Sequence, residues 1–358
     1  MRLLALVTDG FGASGGIARY NQDLMAALSQ SAAISRIAVL PRVASATSAT
    51  PAKVRQLAPS ADRAVWSARA LALGAQQRFD VVFCGHLNAV PLAAAIAGFR
   101  RMPLWLQVHG IEAWQPRAAL YRRGLAAAAL ITSVSRYTRA RLLAWGDVPP
   151  HRLRVLPNTV APGYAPRPGR CDLAVRHGLS GRRIILTVGR LSASERYKGH
   201  DRLIAALPAI LARVPDAAYL IVGSGDDGPR LERLAREAGV CDRVVFAGQV
   251  PDVELAEYFQ LAHVFAMPST GEGFGIAFLE AAASGLPVIG GNRDGSVDAL
   301  AEGRIGRLVD PEACAEIAAA VIDALTGNHP ACAAAEANRF AFNRFATHVD
   351  DLVRSLAR

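Results

Sequence analysis

Short apolar, β-prone runs alternate with longer amphipathic ones along the whole chain, and this alternation constrains the fold more than any other feature. LLALVTD, IAVLP, DVVFCG, PLWLQVHG, ALITSV and RVLPN in the first half, and IILTVG, AYLIVG, VVFAG, VFAMPS, LPVIG and GRLVD in the second, have the length and branched composition of buried strands. The segments between them read as helices. Strands and helices in this order give parallel sheets covered on both faces, an α/β architecture. Residues 159–170 carry three prolines and two glycines between the two strand series and are the expected linker. The chain therefore reads as two doubly wound domains, 1–165 and 166–337, facing a deep cleft lined by the carboxyl ends of both sheets, where ligands of such folds bind. A length of 358 residues fits two cores of ordinary size. Residues 43–60, rich in Ala, Ser, Thr and Pro, are expected to be a mobile loop near the cleft mouth. Residues 338–358 place Phe342, Phe345, Val349 and Val353 at helical spacing, so an amphipathic helix should end the chain with its apolar face covered.

Composition removes several classes. Hydrophobic residues at 52% and charged residues at 20% can bury enough surface to offset chain entropy, which excludes disorder. The longest nearly apolar stretch, residues 87–99, is about half of what a bilayer requires and contains Asn88 and Pro91, so no transmembrane helix is expected. MRLLALVTDG is followed by a glycine-rich turn rather than a cleavage site and reads as the first strand. Cys84, Cys171, Cys241, Cys314 and Cys332 form no C-x-x-C pair or cysteine–histidine cluster, which points to a reducing cytoplasm without zinc. The net charge of +10 is unevenly placed: residues 1–170 hold 21 Lys or Arg against 6 Asp or Glu, and residues 171–358 hold 19 against 24. So basic a half should be drawn to a polyanion, whether an anionic bilayer, a pyrophosphate-bearing substrate or nucleic acid. An arginine-rich coding bias is the alternative, since only Lys53 and Lys198 are lysines. Aromatic residues at 6% and the lack of a recognised binding motif argue against nucleic acid as the partner.

Three segments carry chemistry. In TDGFGASGGIARYNQDLMAAL, Gly15 and Gly16 open a helix after the first strand; such a turn either exposes backbone N–H groups to a phosphate or is simply tight. Its spacing is not the G-x-G-x-x-G of dinucleotide binders, and no acidic ribose-binding residue is placed for one, which argues against an NAD-dependent oxidoreductase. In LTVGRLSASERYKGHD, a strand delivers Arg190 and then Lys198 just ahead of a helix, two cations suited to a pyrophosphate. In MPSTGEGFGIAFLEAAASG, Glu272 and Glu280 bracket a glycine-rich turn that leads into a helix. Glu280 would lie inside that helix on an apolar segment and needs partners, either sugar hydroxyls or a core salt bridge.

Taken together, EGFGIAFLE, GRLSASERYKG, YLIVGSGDDGPRLERL, the leading Gly-Gly, HGIEAW and VSRYTR resemble the retaining glycosyltransferases of the GT-B fold, family 4, over nearly the whole chain. The resemblance implies two Rossmann-like domains, an acceptor-binding one completed by the C-terminal helix 338–358 and a donor-binding one over 166–337. It places Arg190 and Lys198 on the donor pyrophosphate with the Gly15–Gly16 turn behind it. It further places Glu280 on the ribose, Glu272 with the backbone of Gly273, Phe274, Gly275 and Ile276 on the sugar and its phosphate, and Gln249 and Val250 beside the base. His109 would contact the sugar near the reacting centre. His109, Glu272, Arg190 and Lys198 are thus the expected catalytic group.

The same resemblance implies glycosyl transfer with retention at the anomeric carbon. No D-x-D occurs in the chain, and cations around the pyrophosphate would stabilise the leaving group in place of a metal, so no metal or cofactor is expected. SERYKGHD and HGIEAW are similar to GDP-mannose-dependent mannosyltransferases of bacterial exopolysaccharide assembly, which makes GDP-mannose the expected donor ahead of UDP- or deoxysugar nucleotides. NRDGSVDAL, from Asn292, departs from the Gly-Gly, proline and glutamate that many relatives carry there. A polyprenyl-diphosphate-linked saccharide at the inner membrane face is the expected acceptor, with Arg117, Arg122, Arg123, Arg136, Arg139 and Arg141 forming either a membrane-facing patch or a generic solvated face. A protein that binds sugar nucleotides without transfer is the alternative from another class.

Overall fold

The computed structural model describes residues 1–44, 49–161, 163–167, 171–328 and 334–357. It forms two compact units, one of Met1–Thr159 with Phe340–Arg358 and one of Val160–Arg339. The first holds a seven-stranded parallel sheet of β1 (Arg2–Asp9), β2 (Arg36–Val43), β3 (Val54–Gln56), β4 (Val81–Cys84), β5 (Leu104–Val108), β6 (Leu130–Ser133) and β7 (Leu153–Val155), ordered β3-β2-β1-β4-β5-β6-β7. The second holds a six-stranded sheet of β8 (Arg183–Val188), β9 (Ala217–Val222), β10 (Val244–Gly248), β11 (Val264–Met267), β12 (Val288–Gly291) and β13 (Arg307–Val309), ordered β10-β9-β8-β11-β12-β13. Each sheet grows outward in both directions from its first strand, so each has a switch point, β1/β4 in one and β8/β11 in the other. Side chains at the carboxyl ends of those paired strands diverge into the crevice where doubly wound sheets bind ligands.

The strands are buried on both faces and nearly uniformly apolar, as parallel strands under helices must be. Leu4, Leu6, Val82, Cys84, Leu106 and Ile131 centre the first core, and Ile185, Leu207, Tyr219, Ile221, Val264 and Val321 the second. Residues 43–60 differ from the expected loop. Val54–Gln56 pairs in parallel with β2 and extends the sheet by one edge strand, while residues 45–48 lie outside the described residues. Three residues with one buried side chain, Val54, give no periodicity to read. Residues 162 and 168–170 of the expected linker also lie outside the described residues, as does Cys332; Cys84, Cys241 and Cys314 are free thiols.

The C-terminal helix Phe342–Leu356 belongs to the first unit, where it packs on the helix Gly16–Gln30. Its stripe of Phe345, Val349 and Val353 is buried. Phe345 meets the edge of Tyr20 at 6.0 Å between ring centres, and Phe342, half-buried, leans on Phe345. Ser31 Oγ donates to Asp350 at 2.5 Å, and Thr159 Oγ1 donates to the Phe340 carbonyl at 2.7 Å, tying both ends of the returning segment.

Candidate active site

In the second unit, the switch point gathers an alternating chain of charges. After β8, Ser192 caps a short 3-10 turn, Ala193–Lys198, which closes at Gly199 with φ +81° and hands the chain to the helix His200–Arg213. A Cβ on Gly199 would approach the Pro268 carbonyl to 2.4 Å, so glycine alone fits that junction. The turn presents Glu195 between two cations, paired with Arg190 on one side and 3.7 Å from Lys198 Nζ on the other. Lys198 Nζ in turn donates to Glu272 Oε1 at 2.5 Å, from the loop after β11. Lys198 and Glu272 are 13% and 12% exposed, whereas Arg190 is 76% exposed, so the row runs from a sheltered ion pair to an open guanidinium. Burial opposes the charge of Lys198, but Glu272 and Glu195 outweigh it and hold the ammonium above its usual range.

The Glu272 loop is shaped by glycine. A Cβ on Gly271 would meet the Tyr197 ring at 2.6 Å, and Thr270 N–H donates to the Tyr197 carbonyl at 2.8 Å. Gly275, at φ +89°, starts the helix Ile276–Ala283 behind a buried Phe274. Glu280 is half-buried one turn inside that helix, as its spacing predicts. Asp294, after β12, reaches back to this loop through the Glu272 N–H at 2.7 Å. Gln249 is exposed and Val250 half-buried beyond β10, at the far edge of the sheet from β11.

In the first unit, Gly15 takes φ +99° and opens the helix Gly16–Gln30, and a Cβ built on Gly15 or Gly16 meets nothing within 4 Å, so the backbone there is open to a ligand. Carboxamides brace the turn before it. Gln56 accepts from Phe11 N–H at 2.7 Å and donates to the Phe11 carbonyl at 3.2 Å, while Gln22 donates to the carbonyls of Gly10 and Ala13. His109 follows β5, and its Nε2 lies 2.9 Å from the Gly85 carbonyl at the end of β4. A carbonyl only accepts, so Nε2 carries the proton and Nδ1 the lone pair. Burial, only partly opposed by Glu112, pushes the imidazole down to about 4 and keeps it neutral. Tyr20 meets its edge at 5.1 Å, and Glu112 accepts from the His109 N–H at 2.5 Å.

Of the six arginines expected to form a surface patch, Arg139 and Arg141 donate to main-chain carbonyls, and Arg117 donates to Asn88 Oδ1 while lying over the Tyr121 ring. Arg122 and Arg123 are exposed on the helix Ala119–Ala127. Among the described residues no group of three or more His, Cys, Asp or Glu is placed to hold a metal ion. Sequence reasoning missed Glu195, Asp294 and Gln56. Glu195 and Asp294 lie inside quoted strings, SERYKGHD and NRDGSVDAL; the partners of Glu195 are local, Arg190 and Lys198, whereas Asp294 meets the Glu272 amide 22 residues away.

Two parallel sheets of this order, each with a glycine turn at its switch point, are the architecture of GT-B glycosyltransferases. The chain belongs to the group 1 and family 4 glycosyltransferases. Residues 174–341 match the family described as Glycosyl transferases group 1, and residues 14–163 match Glycosyltransferase Family 4. The chain is 38% identical over 271 residues, 70% of its length and 69% of the relative's, to the GDP-mannose-dependent alpha-(1-6)-phosphatidylinositol monomannoside mannosyltransferase of Mycolicibacterium smegmatis. The protein of the same name from Mycobacterium tuberculosis H37Rv is 36% identical over 74% of this chain and 71% of its own. In fold it is similar to Anabaena HepE, seen in complex with UDP and glucose, with a TM-score of 0.80, 19% identity and coverage of 99% and 100% of the two chains. Sucrose-phosphate synthase from Thermosynechococcus elongatus matches with a TM-score of 0.76 and 22% identity over 100% and 99%.

Proposed function

We propose that this glycosyltransferase takes mannose from GDP-mannose and transfers it, with retention and without a required metal, to a lipid-linked acceptor that carries phosphate. The observation that carries the reading is the preassembled row Arg190–Glu195–Lys198–Glu272 at the β8/β11 switch point. A pyrophosphate entering there meets the open guanidinium of Arg190 first and the sheltered ammonium of Lys198 behind it. Two fixed cations stabilise charge that grows on the leaving nucleoside diphosphate, and they act most strongly where water is excluded. Glu272, held by Lys198, then faces the sugar with its remaining acceptor capacity, and Glu280 faces the ribose. His109 stays neutral near pH 7, so its Nδ1 accepts a hydrogen bond from a sugar hydroxyl rather than donating a proton.

The mycobacterial relatives, named for GDP-mannose and for phosphatidylinositol monomannoside, favour that donor and shift the acceptor from a polyprenyl diphosphate toward a phosphoinositide glycolipid. The exopolysaccharide role expected from sequence gains no support from them. Either acceptor presents phosphate at an anionic bilayer, which suits a basic first unit docked peripherally on the inner membrane face. No helix among the described residues is long and apolar enough to cross a membrane.

Isothermal titration with GDP, UDP and GDP-mannose, first without metal and then with magnesium, tests the donor. Metal-independent binding of GDP over UDP is expected. Preference for UDP overturns the donor and keeps the class; binding without transfer to either lipid class favours the non-catalytic alternative.

A further inference from the structure

Asp294 is 1% exposed and belongs to the segment after β12, yet its hydrogen bonds converge on the Glu272 loop after β11. Its Oδ2 accepts from the Ser269 hydroxyl at 2.8 Å and from the Glu272 backbone N–H at 2.7 Å, and its Oδ1 accepts from the Ser296 N–H at 2.9 Å. The Ser269 and Ser296 hydroxyl oxygens are themselves 2.9 Å apart. The tie is reciprocal, because Gly295 N–H donates to the Glu272 carbonyl at 2.9 Å. The two segments touch through their backbones: a Cβ on Gly295 would come within 2.0 Å of the Gly273 carbonyl, and one on Gly291 within 2.0 Å of the Ser269 carbonyl. Among the described residues no Lys or Arg pairs with Asp294, so its carboxylate is held by neutral donors alone. Burial keeps its carboxyl above the usual range in spite of them.

We infer that Asp294 is a positioning residue of the donor site, which fixes the Glu272 backbone so that the Glu272 carboxylate meets both Lys198 and the transferred sugar. The inference rests on the proposed role of Glu272 toward the donor. Both carboxylate oxygens accept from backbone N–H groups, so the side chain must be acceptor-only on both edges. Asp294→Asn has nearly the same shape but must turn its NH2 toward one of those N–H groups. That substitution should release the Glu272 segment while leaving the sheet intact.

The test is a double-mutant cycle on the full chain with GDP-mannose as donor and phosphatidylinositol monomannoside vesicles as acceptor, alongside amide hydrogen exchange over residues 269–276. Asp294→Asn is expected to lower kcat roughly 10- to 100-fold, with GDP affinity within about three-fold of wild type and faster exchange over 269–276. In a Glu272→Ala background the same substitution should change kcat less than about two-fold, because the carboxylate that Asp294 positions is then gone. Multiplicative effects of the two substitutions, or unchanged exchange and kcat in Asp294→Asn, overturn the inference while the donor-site reading stands. If Glu272→Ala alone leaves transfer unaltered, the donor-site reading falls, and this inference with it. Should Asp294→Asn fail to fold, Ser269→Ala, which removes one donor to the same oxygen, is expected to give a smaller loss of the same pattern, and no loss overturns the inference.

Discussion

Lys198 Nζ and Glu272 Oε1 lie 2.5 Å apart although 74 residues separate them in the chain, and both side chains are nearly buried. Replacing the lysine leaves Glu195 and Glu272 facing each other without the cation between them and removes the charge that the proposed function sets against the leaving diphosphate. Lys198→Ala should therefore lower kcat by about 10²- to 10³-fold, the scale seen when one preorganised stabilising group is lost. Steady-state transfer kinetics, read with the thermal midpoint to detect unfolding, check this; an unaltered turnover counts against the assignment of Lys198.

Gly10 and Gln56 make the second test. A Cβ on Gly10 would fall 2.3 Å from Gln56 Oε1, the atom that accepts from Phe11 N–H. Gly10→Ala should force Gln56 out of its clamp and destabilise the protein by about 1–3 kcal/mol, the usual cost of overpacking. In a Gln56→Ala background the severe contact is gone and only the Pro41 Cβ, at 3.0 Å, stays close, so the added cost of Gly10→Ala should shrink. Denaturant midpoints of the four proteins decide it, and strictly additive shifts contradict the clamp.

How far the site was legible follows from the range of each interaction. Gly15, Gly16, Gly275 and the carboxylates Glu272 and Glu280 are readable because glycines at a strand-to-helix turn and a charge inside an apolar helix are local signals. Every strand of four or more residues shows in the pattern because both faces of parallel strands are apolar, whereas Val54–Gln56, with two polar side chains at a sheet edge, leaves no such mark. Asp294 escapes for another reason: its meaning lies in the Glu272 amide, brought in by the loop after another strand, whereas Glu195 pairs within its own loop with Arg190 and Lys198, through a turn whose geometry the linear sequence does not show. His109 drew attention through family resemblance, and its tautomer follows only from the Gly85 carbonyl on the neighbouring strand.

The returning C-terminal helix offers a stability test in the first unit. Phe345 is buried against Tyr20, whose hydroxyl donates to Gln107 Oε1 at 2.7 Å inside the sheet. Phe345→Ala should cost about 3–5 kcal/mol, as a cavity left by a buried ring usually does. Phe342→Ala, on the half-buried neighbour, should cost distinctly less. Equal and small losses for the two, measured by denaturant unfolding, would mean that the helix face is not anchored as described.

His200 supplies a pH dependence whose sign can be worked out. Its Nδ1 lies 3.3 Å from the Tyr219 hydroxyl, which donates to Thr187 Oγ1 at 2.9 Å, and Thr187 donates to the Ala266 carbonyl at 2.5 Å. That direction of donation makes Nδ1 the protonated nitrogen and leaves Nε2, buried and without a hydrogen-bond partner, as a bare lone pair. Burial, reinforced by the charge of Lys198, pushes the folded-state value down to about 4. An unfolded histidine titrates near 6.5. Between those values the unfolded chain binds the extra proton, so stability is lost as pH falls from about 6.5 to 4, by roughly 3 kcal/mol in all. Asp23, pushed up to about 6 by burial, works in the opposite sense, since its protonation favours the folded form as pH falls through that value. A comparison with His200→Gln cancels the Asp23 contribution, which both proteins share. The stability advantage of wild type over the variant should shrink by roughly 3 kcal/mol between pH 7 and pH 4, and an advantage that stays constant over that range would mean that His200 takes up its proton in the folded state as readily as in the unfolded one.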